Sequence, residues 1–396
     1  MAEFNFEKAG ISLIIDNKYY NALDIEGFSR MMKDPSYCYK FYWLEAIVQL
    51  ISENRCEATY DEIINEMIAN AWYSVLEFHI HLSGIWGDGS IKDNLERAVL
   101  KLKDLSDLPA NASKIEIKNA IAEFDKELHA EKQALTLNVP YKALSGFANK
   151  TGERISLDSS AGRMIAYYNK LSGSDILLPY TFGAENGLNR KLQFSDAWVQ
   201  MIKDNTVNIL GWIQCEKVKW LQNNNPEVPG LIYKLAPLDE KMRKLAHVRK
   251  LWDGILDIQS VTDVFTDEAI DKQKYDVDHF IPWSFVMNDE LWNLMPMDSS
   301  LNSAKNNRLP DWNDFFIRFA KNQYLMYELI HEREGIRKLY EACYRDNLHS
   351  IWANQELYRK GNSDIEFYGI LEKNMRPVYD SARRQGYDVW DKRIAV

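Results

Sequence analysis

The stretch YDVDHFIPWSFVMNDELWNLMPMDSSLNSAKNNRLP, residues 275–310, has two short apolar segments separated by an irregular loop and followed by a polar run. Its first six residues, YDVDHF, alternate in the manner of a short strand, and WNLMPM, residues 292–297, predicts a second short strand. Residues 281–291 between them are too irregular for either a helix or a strand. The pattern therefore predicts a hairpin with a long loop.

A short helix is expected directly after the second strand. Residues 298–300, Asp-Ser-Ser, offer N-cap oxygens, the helix should run to about Asn306, and Pro310 stops it. Leu301 and Ala304 would then pack onto the hairpin. The predicted order is strand, loop, strand, helix.

Four polar side chains converge in this arrangement. Asn302 and Lys305 stand three residues apart on one helix face, which looks toward the strand end that carries Asp278 and His279. One carboxylate and one amide oxygen suit a hard cation such as Mg²⁺ that keeps positions for water and phosphate. A neutral imidazole beside it can take a proton from an attacking water. Asp278, Asn302 and His279 thus supply what metal-assisted phosphodiester hydrolysis needs.

The segment resembles the HNH endonuclease motif and is especially similar to the HNH domain of RNA-guided CRISPR nucleases. There too, a DVDH strand end is followed by a Pro-x-Ser-Phe loop and two asparagines; here Asn293 and Asn302 lie 14 and 23 residues after His279. The resemblance implies a ββα-metal module in which His279 is the general base and Asp278 and Asn302 bind Mg²⁺ or Mn²⁺. It also implies that Asn293 fixes the loop and that Lys305 contacts metal-site waters or phosphate, although the pattern fits a solvated helix lysine equally well.

The chain departs from many HNH proteins in lacking CxxC pairs. Its four cysteines lie far apart, so neither a disulfide framework nor a structural zinc site is expected. Apolar residues around the motif should hold the hairpin instead. Those available are Phe280, Trp283, Phe285, Trp292 and Leu294.

Most of the remaining chain has helical periodicity, so we expect a mainly α fold: a helical body carrying a small ββα-metal (HNH) module. Helices are predicted within residues 35–135, over Trp198–Leu221 and from about Leu238 to Ile255, and further helices after Pro310 up to a break at Pro377. The predicted division is an acidic helical domain at 1–135, a mixed, mainly helical region at 136–237, the nuclease module at 238–320 and a helical region at 321–396.

Charge is unevenly distributed along the chain. The formal net charge is −10, of which about −9 falls in residues 1–130, so a protein that coats nucleic acid through a broad basic surface is excluded. A nucleic-acid site fits the C-terminal two thirds. The run KMRKLAHVRK, 241–250, is a candidate phosphate contact because it directly precedes the motif, although such runs are more often solvated helix faces. The candidate residues are Lys241, Arg243, Lys244 and Lys250, together with Arg308 after the motif helix.

The expected location is the cytoplasm. The N-terminus MAEFNFEKAGISLII has no basic n-region or long apolar h-region, no window reaches the length of a membrane span, and the dispersed cysteines fit a reducing compartment. The acidic N-terminal helical domain is a candidate surface for a protein partner or for self-association, which the sequence does not decide.

The function expected from the motif is hydrolysis of DNA. The surrounding chain, with its helical N-terminal part and the WNLMP and LNSAKNNRLP signatures, resembles uncharacterised HNH proteins of bacterial genomes and defence loci, which implies restriction or anti-phage defence. Two alternatives stay open. One is an RNase or a nicking enzyme working within a protein or guide-RNA assembly. The other is a noncatalytic nucleic-acid-binding or regulatory protein that kept an HNH scaffold, although the filled catalytic positions argue against it.

Overall fold

The structure of the chain is a computed structural model that describes residues 13, 15–33, 35–86, 89–137, 139–150, 154–173, 176–235, 244–347 and 350–390. The chain divides into two compact units, one made of Met1–Pro226 with Lys234–Ala236 and the other of Glu227–Tyr233 with Pro237–Val396. The division falls in and just after the Asn- and Pro-rich loop at 223–230. The finer four-part division of the sequence stays a prediction.

The described part of the first unit is mainly helical, with one small sheet. Its strands are β1 (Glu57–Thr59), β2 (Tyr180–Phe182) and β3 (Lys191–Phe194), in the antiparallel order β1-β3-β2. Its helices are α1 (Ile25–Arg30), α2 (Tyr39–Ser52), α3 (Tyr60–Phe78), α4 (Asn94–Leu105), α5 (Lys114–Glu123), α6 (Asp125–Thr136), α7 (Val139–Lys142), α8 (Ala161–Ser172), α9 (Asp196–Asp204) and α10 (Thr206–Asn224).

Helix α3 organises this unit because it contacts α2, α4 and α5. It begins in a capping box, in which the Thr59 hydroxyl accepts from the Glu62 N–H and the Glu62 carboxylate accepts from the Thr59 N–H. Its apolar stripe, which includes the fully buried Trp72, forms part of the core of the unit. Local capping and helical periodicity therefore agree at this element.

The single helix predicted over Trp198–Leu221 is two helices. Asn205 interrupts it with φ −123° and ψ 19°, and its side-chain amide donates to the Met201 carbonyl while its oxygen accepts from the Asp16 N–H. An asparagine that bonds to nearby backbone competes with the helical hydrogen bonds. The apolar periodicity continues across Asn205, so the sequence pattern does not predict the break.

The second unit contains the predicted hairpin. Strands β4 (Tyr275–His279) and β5 (Leu294–Asp298) pair antiparallel, with His279 opposite Leu294 and Tyr275 opposite Asp298. The helices of this unit are α11 (Ala246–Leu256), α12 (Trp283–Val286), α13 (Ser299–Lys305), α14 (Trp312–Glu332), α15 (Glu334–Asn347) and α16 (Asp364–Arg384). The mainly α fold with a small ββα module is confirmed.

Three expectations about elements in this unit are wrong. The loop between the strands contains the one-turn helix α12, which begins after Pro282 and ends where Met287 takes the left-handed conformation. Helix α11 begins at Ala246 rather than near Leu238: residues 236–243 lie outside the described part, and Lys244 is held ahead of the helix by bonds from its N–H to Asp289 and from Asn347 to its carbonyl.

The third concerns Pro377, which lies inside α16 instead of ending it. Proline removes one helical hydrogen bond and strains the preceding turn. The helix continues because its buried stripe, which includes Leu371, Met375 and Tyr379, packs into the core on both sides of the proline. Tertiary burial outweighs the local penalty here.

Among the described residues, all four cysteines are free thiols, as expected from their spacing. In the same part of the chain, no helix combines the length and the apolar composition that crossing a membrane requires.

Candidate active site

The loop between β4 and β5 is tied at its base by Asn293. This fully buried side chain accepts a hydrogen bond from the Ile281 N–H and donates one to the Ile281 carbonyl, both at 2.8 Å. The Phe280 N–H also donates to the Asn293 carbonyl at 2.8 Å. These are the bonds expected of a residue that fixes the loop.

Buried aromatic side chains pack against the hairpin. Phe280 is fully buried, and its ring lies 4.6 Å from that of Phe319 on α14, centroid to centroid. Gln323 of the same helix donates to the Leu294 carbonyl at 2.6 Å, which secures β5. Phe285, Trp292 and Leu294 are also buried in this core. Trp283 is not: it is half-buried and lies at the pocket described below.

Helix α13 begins as the sequence predicts. The Asp298 carboxylate accepts from the N–H groups of Ser300 and Leu301, and the Ser300 hydroxyl holds the pKa of this carboxyl below its usual value. Leu301 and Ala304 pack against the core of the hairpin. Asn302 and Lys305 also face the hairpin and contact the β4 carboxylates of Asp276 and Asp278.

Asp278 and Lys305 form the closest charged contact at the site. The Lys305 ammonium lies 2.8 Å from Asp278 Oδ2, and the lysine side chain is only 1% exposed against 17% for the aspartate. A buried ammonium requires such a partner because desolvation is costly. Lys305 is therefore not a solvated helix lysine, the alternative that the sequence left open.

Asn302 is oriented by a second strand carboxylate, that of Asp276. Its amide nitrogen lies 3.4 Å from Asp276 Oδ2, a long hydrogen bond. Asp276 and Asp278 are two residues apart in β4 and so share one strand face. With its nitrogen turned to Asp276, the amide leaves its oxygen free to accept or to coordinate.

His279 is buried, with 2% of its side chain exposed. Its Nε2 lies 3.1 Å from the Asn288 carbonyl oxygen and 3.1 Å from Asp289 Oδ1. Because the Asn288 carbonyl is an acceptor, Nε2 carries a proton, and Nδ1 is the ring nitrogen that can accept one. The loop thus selects the tautomer of the imidazole.

A polar pocket of about 180 Å³ lies beside these groups. Asp278, Asn302 and Lys305 line it, and so do Trp283 and Asn306; His279 and Asn293 are not among the described residues that line it. Asn306 takes φ 49° and ψ −139°, a conformation that only glycine adopts readily. The structure therefore brings three of the five predicted catalytic and metal-binding residues to one pocket.

The residues predicted to contact phosphate are not among the described residues that line the pocket. Lys241 and Arg243 lie outside the described residues. Lys250 is exposed on α11, and Lys244 is exposed just before it. Arg308 is half-buried and donates to the carbonyls of Ala304 and Lys305, so its guanidinium caps the C-terminus of α13.

Three residues of the site, Asp276, Asn306 and Asp289, were not singled out from the sequence, and Trp283 was expected only as packing for the hairpin. Asp276 was detectable, because strand alternation places it on the face of Asp278. Asn306 follows the motif helix in an Asn-Asn pair, a residue type that favours left-handed helix ends. Nothing local marked Asp289, because its contact with His279 forms only when the loop is folded.

No group of three or more His, Cys, Asp or Glu side chains that is suited to a metal ion occurs in the described part of the chain. A site of the kind predicted here uses one carboxylate with an amide oxygen and waters, so the chemistry of its donors is that of a hard, partly hydrated cation.

Comparison with known proteins identifies this segment. Residues 263–311 match the family model described as HNH endonuclease. No curated protein and no solved structure matches the chain. The matched range contains both hairpin strands, helix α13 and every residue that lines the polar pocket. The segment from 263 to 311 is thus similar to HNH endonuclease domains.

Proposed function

We propose that the chain is a metal-dependent endonuclease that hydrolyses DNA phosphodiester bonds at the pocket of Asp278, Asn302 and Lys305. The observation that carries this proposal is their convergence on one polar pocket inside the segment that matches the HNH endonuclease family. The pocket combines two oxygen ligands with a fixed ammonium, which suits a phosphate group beside a cation.

The donors present fit a divalent cation, Mg²⁺ or Mn²⁺. Asp278 already binds one cation, the Lys305 ammonium, at 2.8 Å, and the Asn302 oxygen is turned away from the Asp276 carboxylate. Asp278 and Asn302 would hold the ion through oxygens. When bound, the ion would polarise the scissile phosphate and stabilise the leaving oxygen.

His279 supplies the general base in this proposal. Because Nε2 faces two acceptors, Nδ1 is the atom that takes the proton from the attacking water. The water oxygen bonds to phosphorus, the bond to the leaving oxygen breaks, and the water proton ends on Nδ1. Lys305 holds the phosphate through its ammonium.

Asp289 is proposed as a positioning residue for that base. Its carboxylate lies 3.1 Å from His279 Nε2 and is 8% exposed, and its Oδ2 accepts from the Lys244 N–H at 2.7 Å. In Asp289→Asn, the Asn288 carbonyl still accepts from Nε2, so the tautomer is kept. What is lost is the negative charge that would stabilise the imidazolium formed when Nδ1 takes a proton.

The proposal is tested by cleavage assays on plasmid, linear and single-stranded DNA and on RNA, each with Mg²⁺, Mn²⁺ or EDTA. His279→Gln keeps a side-chain N–H for the Asn288 carbonyl but removes the base, so we expect a loss of about 10²- to 10⁴-fold in rate. His129→Gln, at an exposed histidine of the first unit, is the matched control and should cleave at the wild-type rate.

Each outcome of these assays bears on one part of the proposal. Cleavage in EDTA would contradict metal dependence, and wild-type cleavage by His279→Gln would contradict the assigned base. Cleavage of RNA alone, or nicking without linearisation, would replace the proposed substrate or product. No cleavage of any substrate, together with no thermal stabilisation by either cation, would establish the noncatalytic alternative.

Asp289→Asn should lower kcat by roughly ten- to hundredfold and leave KM unchanged, because losing a residue that orients a metal-site histidine typically costs about this much. A proportional loss of folded protein, instead of a kcat effect, would contradict the positioning role. A place in restriction or anti-phage defence, within the cytoplasm, is part of the proposal and rests on the resemblance of the motif alone.

A further inference from the structure

The first unit contains a cavity of about 480 Å³ that is separate from the nuclease segment. It lies where the start of α2, the start of α4 and the end of α7 meet, and it is lined by three lysines and two tyrosines. These are Lys40, Lys92, Lys142, Tyr37 and Tyr39, and Asp158 is the acidic residue among the described lining. Three cations thus surround one cavity within an acidic part of the chain.

Two of these lysines lack the carboxylate partner that several other lysines of the unit have. Lys101 pairs with Glu131, Lys217 with Glu45, and Lys132 with both Asp61 and Asp125. Among the described residues, neither Lys92 nor Lys142 forms an ion pair, although each is half-buried; the Lys92 ammonium lies over the Trp86 ring, 4.8 Å from its centroid. Partly desolvated ammonium groups without a counter-ion favour an anionic ligand.

The aromatic wall is rigid and partly open. The rings of Tyr37 and Tyr39 stack at 5.3 Å between centroids with 9° between their planes. The Tyr39 hydroxyl accepts from the Asn94 N–H at 2.8 Å, which fixes that ring, while Tyr37 is 40% exposed. A parallel tyrosine pair offers a face on which a further aromatic ring can stack.

Helix α4 itself contributes no anion site. Its first N–H groups are already occupied: Asn94 donates to Tyr39, and Leu95 and Glu96 donate to the capping Asp93. The positive potential of the cavity therefore comes from lysine side chains. Its ligand must combine negative charge with a planar ring to use both parts of the lining.

We propose that this cavity binds a nucleoside phosphate, with the base stacked on the tyrosine pair and the phosphates held by Lys92, Lys142 and Lys40. A volume of about 480 Å³ matches a single small ligand and not an extended strand, because small-molecule sites fall at about 300–1,000 Å³. The site lies in the first unit and does not depend on the nuclease activity of the second.

The test is equilibrium dialysis of the full chain against ATP and, separately, GTP, in EDTA, so that no metal bridges phosphate to the second unit. We expect at least one of them to bind with a Kd below about 1 mM. Adenosine or guanosine, and tripolyphosphate, which carry the ring and the charge separately, should each bind at least about tenfold more weakly.

Variants locate the site. Lys92→Gln with Lys142→Gln should weaken nucleotide binding by at least about tenfold, and Tyr37→Ala should weaken the nucleotide but not tripolyphosphate. Lys126→Gln, an exposed lysine of the same unit outside the cavity, is the control for lost charge and should bind normally. Thermal melting checks that each variant is folded.

Three results would overturn the proposal. These are no nucleotide binding at millimolar concentration, equal binding of tripolyphosphate and nucleotide, or binding that the cavity variants leave unchanged. Displacement by a 15-residue oligonucleotide at concentrations below those of free nucleotide would also overturn it, in favour of a strand. None of these results bears on whether the chain cleaves DNA.

Discussion

Replacing Asp278 with alanine should destabilise the second unit by about 3–5 kcal/mol, apart from any effect on catalysis. The reason is that Lys305 is 1% exposed and its ammonium lies 2.8 Å from Asp278 Oδ2. Removing the carboxylate leaves a buried ammonium without its counter-ion, and breaking such pairs costs about this much. For a unit of this size, 1 kcal/mol shifts Tm by about 2–4 °C, so Tm should fall by about 6–20 °C.

The assay is thermal unfolding followed by near-ultraviolet circular dichroism, which reports the many aromatic residues packed in this core. The Asp278→Ala, Lys305→Met variant should recover most of the lost stability, because a methionine of similar length can occupy the buried site without charge. Asp380→Ala breaks the exposed pair with Arg376 in the same unit and should cost at most about 1 kcal/mol.

The reasoning fails if Asp278→Ala melts within 1–2 °C of the wild type, or if the double variant is less stable than the single one. Either result would mean that Lys305 finds another partner or reaches water. The melting experiment is also a control for the activity assays, because the inactivity of Asp278→Ala is informative only at temperatures at which this variant is folded. Asp278→Asn, which keeps an oxygen for the Lys305 ammonium, is the safer variant for cation binding.

Three further predictions concern other parts of the chain. Asn306→Gly should raise the free energy of unfolding by about 1 kcal/mol in urea denaturation, because φ 49° with ψ −139° strains any other residue, and unchanged or lower stability would contradict that strain. Asp93 is fully buried, which raises its pKa from 3.8 to about 6, so folding favours its protonated form; that stability is present below pH 3.8 and is lost as pH rises through 6. Asp93→Asn should therefore gain stability relative to the wild type between pH 4 and 7, by on the order of 3 kcal/mol at 1.36 kcal/mol per pKa unit, and a Tm difference that is constant with pH would contradict the shift. Lys244→Gln with Lys250→Gln should weaken DNA binding and flatten the slope of log K against log salt by about two, while kcat at saturating substrate stays unchanged. An unchanged slope would indicate that these two lysines only form a solvated helix face.

The hairpin and its helix could be predicted from the sequence because each depends on local rules. Alternation of apolar and polar residues sets the strand period, and Asp298 caps α13 through N–H groups two and three residues away. The loop-fixing role of Asn293 was implied by the resemblance to the HNH motif. All of these contacts join residues that lie within about 25 positions of one another.

The parts that were missed depend on distant residues. Lys244 leaves the helical path because Asp289 and Asn347, far along the chain, take its N–H and its carbonyl. Pro377 stays helical because the burial of neighbouring side chains outweighs one lost hydrogen bond. Neither outcome is encoded within a window of ten or twenty residues, which is the range over which periodicity and capping act.

Lys305 shows how burial turns an ambiguous residue into part of a mechanism. On a free helix it would be one more solvated lysine, and its spacing from Asn302 says only that the two share a face. Packing α13 onto the hairpin seals the lysine stem from water, and its ammonium must then find a carboxylate at that depth. Asp278 is that carboxylate, so the proposed metal ligand already lies beside one positive charge. A divalent cation at Asp278 would share its ligand with Lys305 instead of finding an isolated carboxylate, which lowers the affinity for the ion but leaves two cations facing an arriving phosphate. In the proposed function, the Asp278–Lys305 pair would therefore affect both the binding of the cation and the position of the phosphate.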